Sequence, residues 1–303
     1  MSKLDPRLNP YRPDLAAEHL KDEVEAARFT SGELRHVTSA STPLRRAPTN
    51  EAPLDTEALT GELVTVFEDA KGWSWVQLNR DGYVGYLRTD ALCHGPSLTS
   101  HRIKVPRTYL FREPDIKTPP KDTLFLNAEM CLCPADGDFV ELKDEGFIYA
   151  HHAATVRQLA DDFVAVAVQF ISTPYLWGGK TALGIDCSGL LQVAMQAAGL
   201  ECPRDSDMQM SSVGQPISNL TDAGELQRGD LVFWKGHVGI MVDHARLLHA
   251  NAFHMMAVVE TLEEAVRRIA KQGSEIAAIK RLPALAKPAR TQPVAFQETR
   301  RAS

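Results

Sequence analysis

From residue 32 to residue 92, apolar and polar positions alternate in short runs. This period of two predicts half-buried strands over residues 33–38, 63–67, 73–78 and 83–87. The last two flank Asn79-Arg-Asp-Gly82, and Asp-Gly between alternating runs signals a hairpin, because the tight turn demands positive φ. The ten residues Trp75-Val-Gln-Leu-Asn-Arg-Asp-Gly-Tyr-Val84 align without a gap on Phe139-Val-Glu-Leu-Lys-Asp-Glu-Gly-Phe-Ile148. A strand-rich internal repeat of this kind predicts two small β-barrels in tandem, over residues 31–97 and 98–152. Tyr83 and Tyr86 cannot both point inward on a strand of period two, so one of them is expected to face outward.

After Thr155 the pattern changes. Helical spacing runs over residues 156–170 and again over 190–198, where Gly199 ends it; strand-like runs follow at 230–234, 237–242 and 246–250, then a helix at 262–271 and a last strand at 275–281. Helices followed by antiparallel strands predict an α+β domain over residues 153–283. Residues 1–30 start irregular and proline-broken, with 14–27 reading as a charged helical arm. The tail, 284–303, has no hydrophobic period and reads as disordered.

Composition narrows the function classes. With 44% hydrophobic residues the 303-residue chain is ordinary for a folded protein, and its net charge of −6 argues against general nucleic-acid binding, which needs a basic surface. No run approaches the roughly 18 apolar residues of a membrane span, and the polar stretch from Met1 to Pro10 lacks the apolar core of a secretory signal. With Met1 as the start, the expectation is a cytoplasmic protein that engages no membrane. Cys93, Cys131, Cys133, Cys187 and Cys202 show no paired CxxC spacing, so neither a disulfide framework nor a zinc site is indicated. No cofactor or metal is expected.

One cysteine stands apart. A Gly/Pro-marked loop leads from Pro174 into Asp186-Cys-Ser-Gly189, directly before a helical run. A thiol at a helix N-terminus meets unpaired N–H groups and the positive end of the dipole, so a lowered pKa and a reactive thiolate are expected of Cys187. A cysteine nucleophile also needs a base and a group to orient that base. His237, at the start of a strand after Gly236, and His249, on a following strand, can supply them, with Val238, Ile240 and Val242 facing inward. Asp243, His244, Asn251 and His254 are near enough in sequence to compete for the orienting role.

These residues carry a resemblance. Through Tyr175-Leu-Trp-Gly-Gly179, Asp186-Cys-Ser-Gly189, Pro203-Arg-Asp-Ser206, Gly229-Asp-Leu-Val-Phe233, Gly236-His-Val-Gly239 and Leu248-His249, residues 156 to 282 resemble the NlpC family of papain-like bacterial cell-wall cysteine peptidases. The strand-rich repeats look like bacterial SH3-like domains. The fold so implied is a papain-like peptidase domain preceded by two SH3-like barrels.

The resemblance implies Cys187 as nucleophile, His237 as base and His249 as orienting residue, and it puts the Tyr175 hydroxyl in the oxyanion pocket beside the Cys187 N–H. Asp186 and Ser188 would line the groove. The substrate it implies is a murein peptide cut between γ-D-glutamate and a diamino acid. In the subgroup with tandem SH3-like domains, Asp205 and Ser206 would bind a free N-terminal L-Ala, helped by an acidic and a tyrosyl side chain from the first SH3-like domain. Glu62 and Tyr86 are the candidates, with Tyr83 as substitute for Tyr86. An acyltransferase or amidase on the same fold, or an inactive peptide-binding protein, are the competing readings.

Overall fold

Val64, Val66, Val76, Leu78 and Leu87 alternate with polar neighbours, and they bury together with Val37, Leu44 and Ala58 as the core of the first β-rich unit. In the computed structural model, which describes residues 4–133, 137–143, 145–217 and 226–283, this unit is one seven-stranded sheet. Its order is Leu54–Leu59, Ser41–Arg45, Val84–Arg88, Trp73–Leu78, Leu63–Ala70, Glu33–Val37 and Leu92–His94. The second unit has a three-stranded sheet and a five-stranded sheet around Ile103, Leu110, Leu124 and Ile148. Neither unit closes on itself among the described residues. The two expected SH3-like barrels are seen as these sheets, without a closed barrel among the described residues, and with register shifts at Leu44/Arg45, Val66/Glu68 and Leu110/Phe111.

The repeat also differs in register. In the first copy the Leu78 N–H donates to the Tyr83 carbonyl, whereas in the second Leu142 pairs with Gly146. The residue standing where Tyr83 stands is thus a glycine, and the second copy has no matching tyrosine to offer.

Residues 14–27 are not a helix. Ala16–Ala17 pairs in parallel with Phe29–Thr30, followed by a single 3-10 turn, Glu18–Leu20. Leu15, Ala17 and Leu20 bury against Phe67 and Trp75, and that packing outweighs the weak helical preference of a short charged segment. The tail expected at 284–303 lies outside the described residues.

Among its described residues the C-terminal region has four α-helices, α1 (Phe163–Val168), α2 (Cys187–Ala197), α3 (Ser206–Ser212) and α4 (Leu262–Ala270). Helix α1 is much shorter than the 156–170 pattern because Asp162 caps it, accepting from the N–H groups of Val164 and Ala165. A six-stranded antiparallel sheet runs in the order Gln215–Pro216, Ile276–Arg281, Leu231–Trp234, His237–Met241, Arg246–Asn251 and Met256–Thr261. Helix α2 is buried almost all round. Its Leu190, Leu191 and Val193 pack with Val238, Ile240 and Leu248 of the sheet, each such side chain contributing about 1.5–3 kcal/mol by burial. The sheet's other face, with Trp234, Met241 and Leu247, is covered by Ala265 of α4. Among the described residues no helix is long and apolar enough to cross a membrane.

Candidate active site

Cys187 is the first residue of α2, and Asp186 is its cap. One carboxylate oxygen of Asp186 accepts from Gly189 N–H at 2.6 Å and the other from Gly178 N–H at 2.8 Å, so one side chain fixes both the helix start and the loop before it. Gly178 has φ +78°, and a Cβ there would lie 2.6 Å from the Leu54 carbonyl, which leaves glycine as the residue that fits. Arg204, fully buried, forks onto both Asp186 oxygens at 3.0 and 2.7 Å and donates to Ser188 Oγ at 2.8 Å. Asp186 and Ser188 line the cleft over Cys187, as expected, and their carboxylate and hydroxyl also brace the nucleophile loop.

The helix start does not by itself produce a thiolate. Burial, then the nearby Asp186 carboxylate, push the Cys187 thiol up to about 12, against the N–H groups of Val238 and Ser188 and the charge of Arg204. Burial likewise drives the His237 imidazole down to about 3. The sequence expectation of a lowered thiol pKa is overturned in the resting cleft, because desolvation of a buried charge exceeds the dipole's contribution. Burial therefore disfavours both a lone thiolate and a lone imidazolium here.

The histidines sit as a diagonal row. His237 follows a two-residue turn, closed by the Trp234–His237 pair with Gly236 at φ +76°, and the backbone of Val238 next to it acts to lower the Cys187 thiol. Extending the register in which Ile240 faces Leu248 places His249 opposite Gly239, diagonal to His237 on the same face. The rings meet with His237 Nε2 and His249 Nδ1 2.8 Å apart. Of the alternatives for the orienting role, Asn251 and His254 hydrogen-bond to each other and Asp243 caps its own turn.

Behind the pair the row continues to residues that sequence reasoning missed. His249 Nε2 lies 2.6 Å from Glu260 Oε1, and Glu260 receives both terminal nitrogens of Arg268 at 2.6 Å. Their signal was present: Glu260 is two residues beyond Val258, the partner of His249 in the next strand.

A cleft of about 310 Å³ opens over Cys187, lined by Tyr175, Trp177, Ser206 and Gly236 at the thiol end and by Arg46, Asp55, Tyr83, Asp205 and Asp207 at the other. The acidic side chain that the first β-rich unit places on this cleft is Asp55, paired with Arg46, and the tyrosine it places there is Tyr83, whose hydroxyl donates to Asp205 Oδ2 at 3.0 Å. Burial first, then the Asp205 charge, push the Tyr83 phenol upward and keep it a donor. Glu62 is elsewhere. It is buried and holds Lys180 Nζ at 2.9 Å, because it follows the turn at Gly61 and points into the seam between the two regions. Tyr86, two strand positions from Val84, faces outward from the core and accepts from Arg12 at 2.9 Å. The arm supplies a further residue that had no signal in the sequence: Arg7 donates to Asp205 at 2.7 Å and to Asp207 at 2.8 Å. Among the described residues no group of three or more His, Cys, Asp or Glu is arranged to hold a metal ion.

The family model described as NlpC/P60 matches residues 172–269, a span that contains Cys187, His237 and His249. The probable endopeptidase NlpC of Escherichia coli is 35% identical over 118 residues, which are 34% of this chain and 73% of that protein. The chain belongs to the NlpC/P60 family of cysteine peptidases. A second model, described as a bacterial dipeptidyl-peptidase Sh3 domain, matches residues 44–92 of this NlpC/P60 protein, the segment that carries Asp55 and Tyr83. A gamma-D-glutamyl-L-lysine dipeptidyl-peptidase of Bacillus subtilis is 29% identical over 247 residues, covering 71% of this chain and 81% of that one. Dipeptidyl-peptidase 6 of Lysinibacillus sphaericus is 36% identical over 115 residues, and the chain spans only 41% of its length. In fold, a crystal structure of an NlpC/P60 family protein from Bacillus cereus matches 82% of this chain and all of that one, with a TM-score of 0.66 at 20% identity.

Proposed function

We propose that the protein is a dipeptidyl-peptidase that hydrolyses the bond between γ-D-glutamate and L-lysine or meso-diaminopimelate in small murein peptides carrying a free N-terminal L-Ala. The observation that carries this reading is that Asp55, Asp205 and the Tyr83 hydroxyl line the same cleft as Cys187, with Tyr83 donating to Asp205. Asp55, Asp205 and Asp207 stand there against Arg7 and Arg46, and the remaining negative charge favours an ammonium. The names of the Bacillus relatives, and the dipeptidyl-peptidase Sh3 match over Asp55 and Tyr83, support it.

In this mechanism His237 takes the Cys187 proton as sulfur attacks the γ-carbonyl carbon. The first N–H of α2, with the Tyr175 hydroxyl, receives the oxyanion. His237 then protonates the leaving amine, and water, deprotonated by the same imidazole, releases the dipeptide and restores the thiol. Small peptides of this kind suit recycling in the cytoplasm. The direct test incubates the protein with L-Ala-γ-D-Glu-L-Lys and its diaminopimelate counterpart and follows products by mass spectrometry. Release of intact L-Ala-γ-D-Glu is expected, and the absence of that dipeptide from both digests refutes the substrate assignment.

A further inference from the structure

The reaction needs a bare nitrogen on His237 facing the thiol, and nothing in a pair of histidines decides which nitrogen that is. Each neutral imidazole carries one N–H, and the His237–His249 contact can be made in either direction. Glu260 removes the ambiguity. We propose that Glu260 is a positioning residue that sets the tautomers of both histidines and thereby leaves His237 Nδ1 as the base for Cys187. The inference rests on reading Cys187 and His237 as the reacting pair.

An ionised carboxylate only accepts hydrogen bonds. Glu260 is held ionised: desolvation would raise its carboxyl, but the bonds from His249 and Arg268 hold it down to about 2. With Glu260 Oε1 2.6 Å away, His249 Nε2 must carry its proton. Buried and neutral, His249 then presents a bare Nδ1, which can only accept, so the 2.8 Å bond is donated by His237 Nε2–H. Neutral His237 is left with an unprotonated Nδ1. When it reacts, the Cys187 S–H bond breaks, the proton joins Nδ1, and the imidazolium keeps its Nε2–H on His249 while sulfur holds the electron pair. Without Glu260, His249 is free to protonate Nδ1 instead. It would then donate to His237 Nε2 and force the His237 proton onto the nitrogen that must be empty.

The charged and titratable groups around the row are Arg268 and His254, which disfavour protonation of the histidines, and Glu260, which favours it; Asp186 and Arg204 act on the thiol side. Arg268 offsets much of the Glu260 charge, so directing the tautomer is the larger part of its role.

The test has two arms. In the wild-type protein, nitrogen-15 NMR of the imidazoles should show His249 protonated at Nε2 and bare at Nδ1. His249 protonated at Nδ1 overturns the proposal whatever the variants do. In the second arm, Glu260→Gln and Glu260→Ala should lower kcat by about tenfold or more with KM within about twofold, and Glu260→Asp should recover part of the loss. Alkylation of Cys187 by iodoacetamide, which needs no peptide substrate, supplies the readout that a structural defect would not give. Its pH-independent rate near neutrality, which depends on proton transfer to His237, should fall in Glu260→Ala. The alkaline limb, where the thiol ionises unaided, should be unchanged. An unaltered neutral rate together with unaltered kcat contradicts the proposal. Because alkylation and NMR are independent of the peptide, failure of the substrate assignment leaves this result readable.

Discussion

At the thiol end of the cleft, Cys187, His237 and His249 come from one region of the chain, on a helix start and two adjacent strands. At the other end, Arg7, Asp55, Tyr83 and Asp205 come from four separate segments, and the Arg7–Asp205 contact joins residues 198 positions apart. The first end is built by local geometry and a diagonal register. The second exists only because the first β-rich unit docks on the nucleophile loop. That docking is specific and its polar contacts are buried: Lys180 Nζ pairs with Glu62, Lys180 N–H donates to Glu57 at 2.8 Å, and Arg204 Nε donates to Thr56 at 2.9 Å. Chemistry and selectivity can therefore be damaged separately, and the predictions are arranged to separate them.

The largest effect belongs to the thiol end. Cys187→Ala should lower turnover by about 10⁴-fold or more while peptide affinity, measured by calorimetry, stays within a fewfold. Next is the seam. Glu62→Ala leaves the Lys180 ammonium buried without its counter-charge, and thermal or urea unfolding should register a loss of about 3–5 kcal/mol. If Glu62 instead contacted substrate, the variant would keep its stability and lose affinity.

Smaller effects are expected at the other end of the cleft. Tyr83→Phe and Asp55→Asn each remove one group facing the substrate amine, and each should raise KM about 10- to 100-fold with little change in kcat, since a hydrogen bond to a charged group contributes about 1.5–3 kcal/mol. Burial raises the Asp205 carboxyl, against Arg204, Tyr83 and Arg7, which lower it. The carboxylate must be ionised to hold an ammonium. As pH falls, kcat/KM for free-amine peptides should therefore decline earlier than an ordinary aspartate would allow, and Asp205→Asn should abolish that limb. The smallest effect is Tyr86→Phe, which loses only the Arg12 contact and should leave kcat/KM within about twofold.

The contrast also explains what the sequence could disclose. Cys187 and His237 were legible because each carries a local signature, a cap before a helix and a glycine turn before a strand, whereas His249 was set apart from its neighbours only by the motif it shares with the family. The arm was misread because its burial on Phe67 and Trp75 is invisible from its own residues. Glu62 was named as the acidic candidate and Asp55 was not considered, because docking alone decides which acidic residue faces the cleft and which the seam. Tyr83 and Tyr86 were correctly expected to face opposite ways, but the strand pattern carries no information about which side the peptidase region would occupy. Thiolate character was overestimated for a related reason. The helix start is written in the sequence, whereas the desolvation around Cys187 is a property of the assembled cleft.

The most direct test of the account compares kcat/KM for L-Ala-γ-D-Glu-L-Lys with that for its N-acetylated form. Acetylation removes the positive charge that Asp55 and Asp205 would hold and adds bulk beside them, so a loss of about 100-fold or more is expected. Equal rates on the two peptides would contradict the account, since the Asp55–Asp205 end of the cleft would then play no part in choosing the substrate.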